Sequence, residues 1–122
     1  MIKQVKKMPL EELLSSFVEI GIAQGEAAEE FRTGAFNRLF DRESRILDEL
    51  KHRDNDQRRI LIALYDHPNI QVRLNAAKST YALNAAGARA VIQAIADSKI
   101  SPWAGSAGMT LWALDEGIGK LD

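Results

Sequence analysis

The stretch DHPNIQVRLNAAKSTYALN, residues 66–84, decides the fold. It begins with a turn that contains an aspartate and a proline, and apolar residues then recur every three or four positions. Proline suits the turn because it lacks the backbone N–H that a helix interior requires. The spacing of the apolar residues predicts an amphipathic helix over residues 69–83. Asp66 and Asn69 are the candidate N-caps of this helix.

The same pattern recurs 31 residues further on, where Asp97 corresponds to Asp66. A repeated unit of two helices and about 30 to 47 residues is typical of helical solenoids. Such units stack because one helix pair cannot bury its apolar face alone. The sequence therefore predicts an all-α chain of about six helices in three antiparallel pairs, without strands. The remaining helices are predicted over 10–25 with Gly25 at the end, over 35–51 after a cap at Thr33, from a cap at Asp54 or Asp56 to 65, over 88–96, and from a cap at Ser101 onward.

Three segments resemble known proteins. The run DHPNIQVRLNAA resembles the HEAT-repeat pattern of Asp, a turn with Pro, Val-Arg and a pair of small residues. DHPNIQVRLNAAK (66–78), AFNRLFDR (35–42) and AGMTLWALDEG (107–117) together resemble a bacterial family known only as domain of unknown function twenty-nineteen. The resemblance implies a short right-handed α–α superhelix of the HEAT/armadillo kind. It supplies no established activity.

Arg73 occupies the arginine position of the HEAT pattern, directly after a valine. The resemblance implies that Arg73 bonds to a neighbouring repeat, through Asp66 or Asn37. We include Arg73 among the candidate binding residues on this basis.

Composition limits the class of protein. The length of 122 residues predicts a single domain over 1–122, with frayed ends at 1–8 and 118–122. A hydrophobic content of 46% is enough for a core. No apolar run approaches the roughly 20 residues of a membrane span, and we recognise no secretory signal, so the expected location is the bacterial cytoplasm. The absence of cysteine excludes disulfides and thiolate chemistry.

No pattern of titratable residues indicates catalysis. His52 and His67 fall in predicted turns and lack partners at the spacing of metal ligands. No carboxylate lies among apolar residues in a way that predicts a raised pKa. We therefore expect a protein that is not an enzyme and that has no cofactor and no metal.

The leading hypothesis is a protein–protein interaction or regulatory module. Stacked helix pairs form an extended curved surface, and such surfaces serve recognition. The second helix of each pair would line that surface. We expect Gln71, Asn75, Lys78 and Arg38 to be exposed there and to contact a protein partner.

A second polar group lies in residues 35–42. Asn37 and Asp41 are one helical turn apart, and Arg38 and Arg42 repeat that spacing beside them. These residues either bind across the inner surface or form a buried hydrogen-bond network that fixes the order of the helices. The sequence alone favours neither.

The last predicted helix carries both tryptophans. Trp103 and Trp112 either seal the end of the core, which is the interpretation we favour, or present an anchor for a partner. Gly105 and Gly108 lie between them and either let another helix pack closely or let a ligand approach the backbone. Close packing is the preferred reading of the glycines.

Two alternative functions are carried forward. One is nucleic-acid binding in the manner of HEAT-like DNA glycosylases, which the mildly basic middle of the sequence motivates and the net charge of −1 opposes. The other is binding of a small molecule or chromophore in a pocket near Trp103 and Trp112. A homodimer is a further option, because an uncapped solenoid end can pair with a second copy.

Overall fold

The computed structural model describes residues 4–122, and every regular element in that range is helical. The five α-helices are α1 (Leu10–Glu29), α2 (Thr33–His52), α3 (Ile70–Thr80), α4 (Ala85–Asp97) and α5 (Trp103–Asp115). Two 3-10 helices span Val5–Lys7 and Gln57–Asp66. The predicted all-α class is confirmed, and each of the six predicted helices has a counterpart. The third of them is a 3-10 helix instead of an α-helix.

Two compact units make up the chain, one ending at Ile60 and the other beginning at Leu61. In the first unit α1 packs against α2, and the N-terminal 3-10 helix also contacts α2. In the second unit α4 contacts both α3 and α5, and α3 touches α5. The expectation of one domain over the whole chain stays a prediction.

The first helix pair is built on two apolar stripes. Leu13, Phe17 and Ile20 recur at helical spacing on α1 and are buried. Ile46 and Leu50 are buried on α2. Full burial of each such side chain stabilises the fold by about 1.5–3 kcal/mol, so this spacing holds the pair together.

Several helix ends differ from the prediction because the backbone, and not a side-chain cap, sets them. Gly25 was expected to end α1, but it lies buried inside the helix, which continues to Glu29. Phe31 then turns the chain with a φ of 56°. Thr33 was expected to cap α2, but it is the first helical residue, and Arg32 precedes it without a side-chain capping bond.

The start of α3 shows which predicted cap is used. The Asn69 side chain accepts a hydrogen bond from the backbone N–H of Val72 at 3.1 Å, so the prediction for Asn69 is confirmed. Asp66 does not take this role, since it is the last residue of the second 3-10 helix. Asp97 is likewise the last residue of α4. The repeated aspartates therefore end helices instead of capping the next ones.

The second 3-10 helix begins with a capped turn, as predicted for Asp56. The Asp56 carboxylate accepts a hydrogen bond from the backbone N–H of Arg58 at 3.3 Å, and its second oxygen lies 2.7 Å from the Arg58 guanidinium. This side-chain hydrogen bond from Arg58 lowers the pKa of Asp56 below its ordinary value of 3.8. The buried Arg58 is thereby paired with a carboxylate that stays ionised.

A proline precedes the last helix and a glycine follows it. Ser101 was expected to cap α5, but Pro102 occupies the N-cap position and Trp103 is the first helical residue. Gly117 follows the helix with a φ of 72°, the left-handed conformation that glycine adopts without strain. The two residues after Gly117 both donate their backbone N–H to the Ala113 carbonyl, each at 3.0 Å.

Candidate functional sites

The polar side chains expected on an exposed face of α3 are buried. Gln71 is 6% exposed and Asn75 is 7% exposed. The Gln71 amide donates to Asn75 Oδ1 at 2.8 Å, and the indole N–H of Trp103 donates to Gln71 Oε1 at 2.8 Å. Their predicted exposure is therefore wrong, because the indole and the two amides satisfy one another inside the second unit. Lys78 was also expected to be exposed on α3, and it is half-buried, so it still reaches solvent.

Arg73 bonds to the turn that precedes its own helix. Its guanidinium donates to the backbone carbonyls of His67 at 2.8 Å and Pro68 at 3.1 Å. His67 Nδ1 accepts a hydrogen bond from the backbone N–H of Asn69 at 3.0 Å. Arg73 and His67 together stabilise the turn before α3, and this local bonding replaces the contact that the HEAT resemblance implies.

The polar residues of 35–42 face solvent. Asn37, Arg38, Asp41 and Arg42 are all exposed on α2. The interpretation of these residues as a buried hydrogen-bond network is therefore wrong. The remaining interpretation, a binding surface on α2, stays a prediction.

A buried polar pair does join α1 and α2, but it consists of other residues. The Gln24 amide donates to the Glu43 carboxylate at 3.0 Å, and both side chains are buried. Sequence reasoning missed this pair. The signal was present, because Glu43 falls at helical spacing before Ile46 and Leu50, within the stripe that packs against α1.

The two tryptophans have different roles. Trp103 is buried, as expected of a residue that seals the core, whereas Trp112 is 53% exposed. The close-packing interpretation of the glycines between them is wrong, since a Cβ added at Gly105 or Gly108 would meet no described atom of another element within 4 Å. The glycines instead leave the outer side of α5 open to solvent.

One face of α5 is consequently apolar and uncovered. Gly105, Met109 and Trp112 follow one another at intervals of four and three residues, which places them on the same side of the helix. Met109 is 66% exposed. We call Gly105, Gly108, Met109 and Trp112 the α5 stripe, and it ends at the exposed carboxylate of Glu116.

The first unit contains a cleft of about 680 Å³ between the N-terminal 3-10 helix, α1 and α2. Its apolar lining residues are Val5, which is partly exposed, and the buried Met8, Ile20 and Ile46. Its rim carries Arg42 and Arg45 from α2. We call this the α1–α2 cleft. Arg42 belongs to the polar group that the sequence singled out. The lining residues before α1 form what we call the N-terminal wall: Gln4, Val5, Lys6 and Met8. This wall and Arg45 could not be foreseen from local spacing.

The N-terminal wall of the cleft is held by one arginine. The Arg53 guanidinium donates to the backbone carbonyls of Met8 at 2.6 Å and Val5 at 3.2 Å, and to the Glu49 carboxylate at 2.7 Å. Residues 1–8 were expected to fray. Residues 1–3 lie outside the described residues, and in the rest Arg53 anchors the 3-10 helix Val5–Lys7 to the end of α2.

Replacing Arg53 by alanine is expected to lower the free energy of unfolding by about 2 kcal/mol, because charged donors to several acceptors are lost. It should also raise the hydrogen-exchange rate of the Met8 amide at least about tenfold. Arg53→Lys should give intermediate values, since a single ammonium cannot reproduce the fork of the guanidinium. Denaturant titration and hydrogen exchange measure both effects. An unchanged Met8 exchange rate in Arg53→Ala would contradict the anchoring role.

The described residues lack two kinds of feature. Within residues 4–122, no three or more His, Asp or Glu side chains form a group that could hold a metal ion. In the same part of the chain, no helix combines the length and the apolar character needed to cross a bilayer.

Comparison with known proteins gives a family and no activity. Residues 11–115 match the family described as "Domain of unknown function (DUF2019)". The crystal structure of the protein RPA1889 from Rhodopseudomonas palustris CGA009 is similar, with 41% sequence identity, a TM-score of 0.92, and coverage of 99% of this chain and 100% of that chain. No curated protein matches the sequence significantly. With a match over most of its length, the chain belongs to the DUF2019 family.

Proposed function

We propose that this protein is a non-enzymatic interaction module that binds a protein partner through the α5 stripe. The observation that supports the proposal is the exposure of Trp112 beside Met109 on one face of α5. Exposed apolar surface is unfavourable by about 25 cal/mol per Å² relative to buried surface. Trp and Met are also enriched at protein interfaces, and Trp often dominates their binding energy.

The stripe fits an amphipathic helix of the partner. Gly105 and Gly108 have no side chain, and their outer sides are open, so a second helix can approach the backbone of α5 closely. Its apolar side chains would cover Met109 and Trp112, as in other helix-in-groove complexes. Glu116 at the end of the stripe favours a partner helix with a basic residue at that end.

A HEAT-like repeat in the second unit is part of the same proposal. Val72 and Trp103 are related by the 31-residue offset, and so are Ala76 and Ala107. All four side chains are buried, so equivalent positions have equivalent environments in α3 and α5. We place the interaction in the bacterial cytoplasm, as the sequence indicates, and the similarity to a Rhodopseudomonas palustris protein supports the bacterial setting.

The test is capture followed by a binding measurement with a purified partner. Immobilised wild-type protein is incubated with an extract of the source cells, and the captured protein is then expressed and titrated by calorimetry. Met109→Ser/Trp112→Ala should weaken binding by about 30-fold or more, as for a hot spot of about 2 kcal/mol. Phe31→Ala is the matched control, because Phe31 is 87% exposed but belongs to the first unit. It should bind like the wild type.

Three results would contradict the proposal. The first is a partner that binds the double variant as tightly as the wild type. The second is the absence of any captured protein that binds on its own when purified. The third is a homodimer, seen by analytical ultracentrifugation, that Trp112→Ala dissociates, because the stripe would then serve self-association.

A further inference from the structure

We propose that the α1–α2 cleft binds a small amphipathic organic anion. Its carboxylate or phosphate head would lie against Arg42 and Arg45, and its apolar body against Met8, Ile20 and Ile46. This site belongs to the first unit and is independent of the α5 stripe. Its volume of about 680 Å³ falls within the range of about 300–1,000 Å³ typical of small-molecule sites.

The charges of the cleft favour an anion. Arg42, Arg45 and Lys6 all line it, whereas Glu12 is the acidic lining residue. Glu12 is already engaged in an interaction of its own. In the part of the chain from residue 4 to 122, neither Arg42 nor Arg45 has a carboxylate within ion-pairing distance. Two guanidinium groups at neighbouring helical positions therefore offer their donors to an external acceptor.

The geometry of the guanidinium groups limits which head groups of a ligand can bind. The planar fork of N–H donors matches the two oxygens of a carboxylate or the oxygens of a phosphate. Arg42 and Arg45 are three residues apart on α2, so their side chains leave the same side of the helix. One head group can therefore be held by both.

The apolar part of the cleft favours a ligand that has an apolar body as well as a charged head group. Met8, Ile20 and Ile46 come from three different segments and together form one apolar surface. An inorganic anion would contact only the arginines, and an uncharged apolar molecule would contact only the apolar floor of the cleft. A ligand with an anionic head and a body of about ten carbons uses both parts, and each buried methylene contributes about 0.8 kcal/mol.

The experiment uses the methionine methyl groups of the intact chain as reporters. Protein with ¹³C-labelled methionine methyls is titrated with decanoate and with decyl phosphate, below their micelle-forming concentrations. The Met8 signal should shift and saturate, whereas that of Met109, exposed on α5, should stay constant and so exclude general adsorption. The tighter of the two probes identifies the head group as carboxylate or phosphate.

Two variants test the role of the arginines. Arg42→Gln/Arg45→Gln should weaken binding of the better probe at least about tenfold, and both residues are exposed, so the fold is retained. Lys51→Gln is the matched control, because Lys51 is a cation that is exposed on the same helix but does not line the cleft. Its affinity should stay within about twofold of the wild type. A tenfold loss in the control would overturn the assignment.

Other probes test the two halves of the proposal separately. Decyltrimethylammonium carries the same chain with a cationic head and should leave Met8 unshifted. Inorganic phosphate lacks the chain and should bind at least about tenfold more weakly than decyl phosphate. Equal binding of either compound would overturn the proposal. So would a short single-stranded DNA that displaces the anion at equal phosphate concentration, since the cations would then bind a nucleic-acid backbone.

Discussion

Replacing Trp103 by alanine is expected to lower the free energy of unfolding by about 4 kcal/mol, in the range for removal of a large aromatic side chain from a core. Trp103 is 5% exposed, so nearly the whole indole is lost from the interior of the second unit. The substitution also removes the donor to Gln71 Oε1. Urea unfolding followed by circular dichroism measures the change.

Two further variants separate packing from hydrogen bonding at this position. Trp103→Phe keeps an aromatic ring but leaves Gln71 Oε1 without the indole donor, and about 1–2 kcal/mol of the loss should remain. Trp112→Ala is the matched control, because this tryptophan is half-exposed on the same helix, and its effect should stay below about 1 kcal/mol. If Trp103→Ala lost no more stability than Trp112→Ala, the sealing role of Trp103 would be wrong.

Replacing Glu43 by alanine is expected to lower the free energy of unfolding by about 3 kcal/mol. Glu43 is 6% exposed, and its carboxyl group accepts a hydrogen bond from the Gln24 amide at 3.0 Å. The variant removes this acceptor from a buried donor, which typically costs about 1–3 kcal/mol, and it also leaves a cavity beside α1. The measurement is again chemical unfolding, here compared with two other substitutions on α2.

The comparison variants identify which property of Glu43 matters. Glu43→Gln retains the shape and one carbonyl acceptor, so it should lose less than half as much stability as Glu43→Ala. Asp41→Ala removes an exposed carboxylate two residues away and should change stability by no more than about 0.5 kcal/mol. Equal losses for Glu43→Ala and Asp41→Ala would show that the Gln24–Glu43 bond does not stabilise the helix pair.

The helices were predictable because the spacing of their apolar residues is a local property of the sequence. The cap at Asn69 was predictable for the same reason, since its acceptor and donor are three residues apart. Helix ends that lack a side-chain capping bond were not predictable. Gly25 has the same local signature whether it ends a helix or lies within one. It stays helical here, and the turn comes at Phe31. No local sequence pattern predicts the positive φ of Phe31.

The candidate site was only partly predictable, because burial of a polar residue depends on partners that are distant in sequence. Gln71 was expected to be exposed because the second helix of each pair was assigned to the curved surface, yet Trp103 donates a hydrogen bond to it from 32 residues away and buries it. The α1–α2 cleft depends on three separate segments in the same way. Arg42 was selected from its spacing, whereas the position of Met8 beside it follows from the anchoring by Arg53, 45 residues further along the chain.

The anchoring of the N-terminal wall has an evolutionary consequence. Arg53 binds backbone carbonyls, and every residue type at those positions supplies the same carbonyl. Backbone atoms therefore attach the N-terminal wall, whereas its side chains determine the chemistry at the cleft. Lys6, whose side chain is exposed, can change to an acidic, apolar or amide residue without loss of an anchoring bond. A substitution of Lys6 can thus alter the side chain at the edge of the cleft while the anchoring hydrogen bonds keep their acceptors.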